Sequence, residues 1–355
     1  MGTRFGMAFD FDFELLCELT EANGAAGYED RIRDIVRREL EDEVDELHTD
    51  AMGNVIGTIE GSEDYDVAVA AHMDEIGFMV RHVNEDGFVS LDALGGWDSR
   101  VLRAQRVVVH TEDGDLPGVI GSVPPHLLDG DEGEEDVEDV YVDLGLPADE
   151  ATERVSVGDI VTMEQTTTKV GENVSGKALD DRVCLFAMLE AAKRIEDPDA
   201  TIHFCATVQE EIGLRGATAL GVDVDPDLAV ALDVTVANDF PAVKRERDYV
   251  TSLGDGTAIK LKDGSVVTTP KVHRRMRSLA EARDIPYQLE VLPSGGTDTA
   301  GFQNTYGAKP VGAISIPTRY LHTVTESANG DDVSATIDLL TAFLETEDGE
   351  HDYAL

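Results

Sequence analysis

Short runs of β-branched and small apolar residues constrain this chain most. Asp66–Ala71 (DVAVAA), Ile202–Val208 and Leu228–Leu232 read as strands buried on both faces, the pattern of a sheet covered by helices. Val311–Ile316 adds a fourth strand. Helical spacing supplies the cover: Ile32, Ile35, Val36 and Leu40 within 29–40, and Val183, Leu185, Phe186, Leu189 and Ala192 within Arg182–Ile195. Pro270–Arg283 reads as a helix with Thr269 at its cap and Pro270 at its first position, and Val333–Leu344 as another. From about Phe78 to Val170 the texture changes to short strand-like pieces such as Arg106–His110, Val119–Ile120 and Val140–Val142, broken by Gly, Pro and acids. That stretch looks all-β. The expected fold is α/β: a mostly parallel central sheet flanked by helices, built from residues 1–74 and 171–355, with an inserted β-rich domain at 75–170. A length of 355 residues fits about two domains.

Lys and Arg number 28 against 73 Asp and Glu, a formal net charge of −45. This argues against nucleic acid and anionic lipid as partners, since both are polyanions. Such self-repulsion is tolerable where salt is molar and the screening length falls to ~3 Å, so a halophile's cytoplasm is the expected setting. Cys17, Cys184 and Cys205 form no close pair, which suits buried thiols in a reducing compartment better than a disulfide framework or zinc ribbon. No apolar run nears the ~18 residues of a membrane span, and the acids of MGTRFGMAFDFDFELL do not suit a signal peptide. The acid-rich stretch Asp129–Asp139 reads as a solvated loop.

Metal-capable residues collect at five places, mostly just past the C-terminal ends of these strands. They are His72 and Asp74, Asp180 and Asp181, Glu210 and Glu211, Asp233, and His322. Each has a plain alternative: a packing histidine, a helix N-cap, a solvated acidic pair. Their joint placement favours chemistry, because open α/β sheets bind ligands at the carboxyl ends of strands, and bare acids beside the most apolar strands need neutralising. Two imidazoles with several carboxylates suit a divalent cation of the zinc type.

The stretches Ala71-His72-Met73-Asp74-Glu75-Ile76-Gly77, Gly176-Lys177-Ala178-Leu179-Asp180-Asp181-Arg182, Gln209-Glu210-Glu211-Ile212-Gly213, Ala231-Leu232-Asp233 and Ile316-Pro317-Thr318-Arg319-Tyr320-Leu321-His322 go further. With Gly95-Gly96-Trp97-Asp98, Gly121-Ser122-Val123-Pro124-Pro125-His126 and Ser294-Gly295-Gly296-Thr297-Asp298, they resemble the tetrahedral (TET) aminopeptidases, dinuclear metallopeptidases sometimes labelled glutamyl aminopeptidases or endoglucanases. The resemblance spans about Tyr28 to Leu344. It implies that Asp180 bridges two cations, that His72 and Asp233 complete one site and Glu211 and His322 the other. It implies further that Glu210 is the general acid/base and that Asp74 orients His72. It also implies two divalent ions per subunit (zinc, with cobalt or manganese as alternatives), short peptides as substrates, and a hollow homododecamer whose subunits meet through the insertion.

The chemistry asks for these residue types. A bridge must be a carboxylate, because an imidazole nitrogen cannot serve two ions. A carboxylate that ligates is a poor base, so adjacent Glu210 and Glu211, pointing differently, can divide the two roles. Asp74, two residues from His72 on extended chain, can reach the ring's other nitrogen. Trp97 reads as a packing anchor. Ser294–Asp298 is either a plain connection or a close approach of backbone to substrate. The competing readings are a metal-dependent deacylase or carboxypeptidase, an endoglucanase with two carboxylates and no metal, and a non-catalytic metal-binding or assembly protein.

Overall fold

The structure is a computed structural model, and it describes residues 9–124, 126, 136–244, 246–305 and 307–355. The chain begins with α1 (Phe13–Glu21), α2 (Asp30–Leu40), β1 (Glu46–Thr49), β2 (Val55–Ile59) and β3 (Asp66–His72). It continues through β4 (Gly77–Val83), β5 (Val89–Leu94), β6 (Arg106–Thr111), β7 (Gly114–Ile120), β8 (Tyr141–Asp143), α3 (Ala148–Arg154) and β9 (Ile160–Met163). Then come β10 (Thr168–Val170), β11 (Asn173–Gly176), α4 (Leu179–Ala192), β12 (Thr201–Thr207), α5 (Arg215–Asp223) and β13 (Leu228–Val236). The last part holds β14 (Thr257–Lys262), α6 (Pro270–Ala282), β15 (Tyr287–Val291), α7 (Asp298–Gln303), β16 (Val311–Arg319), β17 (Glu326–Asn329) and α8 (Gly330–Leu344).

Among the described residues these strands form one eleven-stranded sheet and one closed six-stranded barrel. The sheet's centre runs β12-β3-β13-β16, all parallel. Its margins turn antiparallel, at β1-β2 against β12 and at β17-β11-β10 beyond β16. The parallel pairing expected from the apolar runs thus holds where strands are covered on both faces, and the sheet as a whole is mixed.

Period-two alternation splits the central strands between two cores. Val67, Val69, Ile202 and Phe204 face one side, with Phe186 of α4, Met276 of α6 and Phe343 of α8. Ala68, Ala70, Cys205 and Ala229 face the other, where their small side chains let Leu220 of α5 and Phe302 of α7 approach. All three cysteines are free thiols, with Cys184 and Cys205 buried. No helix among the described residues is long and apolar enough to cross a membrane.

The barrel closes in the order β4-β5-β8-β7-β6-β9 around Phe78, Leu91, Val107, Val109 and Val161. The stretch that looked all-β also carries one helix, α3, and its last strand, β10, joins the large sheet through β11. Trp97 packs as expected: its ring stacks on Phe78 at 4.8 Å and its indole N–H donates to the Gly77 carbonyl at 3.0 Å. Of the acid-rich stretch, 129–135 lie outside the described residues, and Val137–Asp139 form a single tight helical turn. Pro125 and the first eight residues of the chain are likewise outside them.

Candidate active site

The parallel strands at the sheet's centre bring their C-terminal ends to one edge, and the metal-capable residues meet there. His72 is the last residue of β3, Glu210 and Glu211 lie just past β12, and His322 lies three residues past β16. Asp180 and Asp181 form a non-helical knuckle at the head of α4, joined by a cis peptide. Asp233 differs from expectation. β13 runs on to Val236, so Asp233 is inside the strand, opposite Ser315 of β16 rather than beyond its end.

The two histidines are built alike. Nδ1 of His72 donates to the Asp74 carbonyl at 3.0 Å, and Nδ1 of His322 donates to the Gly96 carbonyl at 2.7 Å. A carbonyl only accepts, so each ring keeps its Nδ1 proton and offers Nε2 to the site. Asp180 stands between them. Its Oδ1 is 3.2 Å from Nε2 of His72, and its Oδ2 is 3.4 Å from Nε2 of His322. Glu211 Oε1 is 3.8 Å from the same His322 nitrogen, and Glu210 Oε2 is 4.0 Å from His72 Nε2. Donor atoms of His72, Asp180 and Glu211 lie within 4.8 Å of one another, as do those of His72, Asp181 and Asp233.

Asp74 acts differently from what its spacing suggested. Its carboxylate is 3.5 Å from His72 Nδ1, whose hydrogen bond goes to the Asp74 main chain. The two carboxylate oxygens instead accept the backbone N–H groups of Glu210 and Glu211, at 3.0 and 3.1 Å. Asp74 therefore holds both the imidazole and the acidic pair. Among the described residues the backbone is left-handed at non-glycine positions beside the centre, including Ala178, Gln209, Tyr320 and His322, with φ of 53°, 56°, 62° and 58°. Such positions are disfavoured and persist only where their surroundings hold them, which is common at functional sites.

Burial sets the electrostatics. It pushes Glu210, Asp233 and Asp181 well above the usual carboxylate range, with neighbouring acids adding to the effect. Burial, then the charge of Asp180, lifts Glu211 to about 8. Asp180 goes the other way, because contacts with His322 and His72 outweigh its burial. Burial lowers both imidazoles, but Asp180 and further acids outweigh it, raising His72 and bringing His322 up to about 10. This is a buried pocket of acids short of positive charge.

Asp181, among the metal-capable residues, and Asp298, at the end of the Ser294–Asp298 motif, were given no role in the site by the sequence, and the structure places both against it. Asp181 Oδ2 accepts the His72 backbone N–H at 3.1 Å, while its buried Oδ1 has no hydrogen-bond partner. Asp298 opens α7 just after the Ser294–Thr297 turn, with one oxygen on the Thr207 hydroxyl and the other unpartnered. The doubled acid at 180–181 was the available signal for the first, and the Ser294–Asp298 motif for the second. A cleft of about 510 Å³ opens beside Asp180, Asp233 and His322, walled by Val234, Val236, Leu292 and Gly296. The Ser294–Thr297 turn thus borders the site, with Gly295 at φ 91°.

Residues 53–339 match the model of the M42 glutamyl aminopeptidase family. The chain belongs to that family. It is therefore a peptide hydrolase. Among its M42 relatives, the lysyl aminopeptidase of Pyrococcus furiosus is 38% identical over 342 residues, covering 94% of this chain and 97% of the relative. The solved aminopeptidase APDkam598 of Desulfurococcus kamchatkensis superposes with a TM-score of 0.91 at 38% identity, covering 94% of each chain. The TET1 peptidase of Pyrococcus horikoshii, described as assembling into a tetrahedron or a large octahedral shell, superposes at 0.86 with 33% identity over 94% of this chain and 99% of its own.

The donor set fits a divalent cation in this M42 chain. Two imidazoles present Nε2, and Asp233, Glu210 and Glu211 make no side-chain hydrogen bond among the described residues although each is largely buried. Neutral imidazole and carboxylate are the ligands zinc-type ions take.

Proposed function

We propose that this M42 chain is a dinuclear metal-dependent aminopeptidase that removes N-terminal residues from short peptides. The observation that carries the reading is the placement of Asp180, one carboxylate oxygen toward each histidine. In this reading Asp180 bridges, His72 and Asp233 hold one cation, and Glu211 and His322 hold the other. Such a pair of cations, when bound, makes water a usable nucleophile at neutral pH and polarises the scissile carbonyl. Glu210, near His72 but outside the ligand set, takes the proton from water and returns it to the leaving amine. Asp74 fixes the Glu210–Glu211 turn and the face of the His72 ring. The apolar cleft beside Asp233 receives the N-terminal side chain.

Amino-acid amides, N-blocked peptides and C-terminally blocked peptides, assayed in molar salt with and without a chelator, test this reading. Free-amine substrates should be cleaved and blocked ones spared. Chelation should abolish the activity, and zinc, cobalt or manganese should restore it. Cleavage of N-blocked substrates would instead indicate a deacylase or carboxypeptidase, and chelator-resistant turnover would end the metal reading.

The relative that builds tetrahedral and octahedral shells supports a self-compartmentalising homo-oligomer here, a tetrahedral dodecamer with residues 75–170 as its assembly domain. The net charge of −45 supports a halophile's cytoplasm. Dialysis into dilute buffer should then unfold the protein, measured by far-UV circular dichroism; a fold unchanged at low salt would remove that inference.

A further inference from the structure

Glu326 opens β17 behind the centre and is only 2% exposed. Both of its carboxylate oxygens are spent on main chain. Oε2 accepts the Asp180 N–H at 3.0 Å, and Oε1 accepts the His322 N–H at 2.8 Å. These two residues come from the head of α4 and from the loop past β16, so one side chain ties together segments that share no strand pairing of their own. Asp74 repeats the device on the opposite pair, holding the N–H groups of Glu210 and Glu211. Four residues proposed for catalysis or cation binding thus hang from two buried carboxylates by their own backbone.

We propose that Glu326 is a positioning residue, which sets Asp180 and His322 in place for the second cation before any cation arrives. The proposal rests on the dinuclear reading above. Three features argue for it. A buried carboxylate is costly to keep unless its oxygens are used, and here both are used on residues of the centre. His322 sits at φ 58°, a disfavoured conformation for a residue with a side chain, and the bond from its N–H to Glu326 helps hold it there. Its ring is held separately, by Gly96, so backbone and side chain of His322 are fixed by different partners.

Glu326→Gln keeps the shape and removes the function, because an amide has one accepting oxygen and turns an NH₂ toward the other N–H. The test is equilibrium dialysis of chelator-stripped full-length protein against Zn²⁺ or Co²⁺ in molar salt, with the bound metal counted. Wild type should bind two ions. Folded E326Q should bind the ion at the Asp180–Glu211–His322 side about 10–100-fold more weakly, and the other, which keeps His72 and Asp233, with a smaller loss. Glu347 is equally buried and accepts the Tyr353 hydroxyl at 2.7 Å far from these contacts, so E347Q should bind both normally.

Hydrogen exchange on stripped wild type gives a second readout that needs no variant. The Asp180 and His322 amides should be protected with no metal bound. Two ions bound at wild-type affinity by folded E326Q would overturn the proposal, and so would unprotected amides in stripped wild type. If E326Q does not fold, the exchange result alone decides. A wild type that binds no cation would strike the dinuclear reading itself, a distinguishable outcome.

Discussion

Glu210→Gln is expected to lower kcat by about 10²–10⁴-fold while both cations stay bound. Glu210 is buried, lies 4.0 Å from His72, and has its backbone pinned by Asp74. Burial and the neighbouring Asp298 and Glu211 push its carboxyl well above the usual range, which suits a group that must both take and give a proton near neutrality. The amide has the same size and cannot carry the proton. Because Glu210 is outside the proposed ligand set, metal content should equal wild type and KM for an amino-acid amide should change little. Turnover at the wild-type rate would remove Glu210 from the mechanism.

Asp180→Ala should have the larger effect, reducing turnover to the uncatalysed background. The substitution takes away the oxygen facing His72 and the one facing His322 together, so neither site keeps its shared donor. A ligand that binds only the folded state stabilises it by mass action. Stripped wild type should therefore melt at a higher temperature when Zn²⁺ is added, and D180A should show little of that shift. An undiminished shift in D180A would show that the cations are held without Asp180, and the bridging role would fall.

The donors were legible because the parallel strands that carry them are the most apolar runs in the chain. Polar groups following such runs stand out, and strand ends in this fold class share one edge. His72, Glu210, Glu211 and His322 came together in this way, and Asp180 joined them from the head of α4. Asp233 was found but misplaced, since β13 continues through Asp233 with Val234 and Val236 and the acid did not end the strand. What could not be read depends on contacts remote in sequence. The carboxylate of Asp74 turned from its near neighbour to amides more than a hundred residues away. Glu326 carries no local mark, because its role exists only once α4 and the loop after β16 are side by side. Barrel closure likewise depends on β9 pairing with both β4 and β6, which short strand-like pieces do not announce.

The Gly96 carbonyl belongs to the connection between two barrel strands, yet it steers the imidazole of His322 on the other body of the fold. A minimal fragment stitched from the two outer stretches alone would keep every side chain proposed as a ligand and still lose that rudder, leaving one ring free to spin. The interposed module is thus an organ of the catalyst as well as a spacer between its halves.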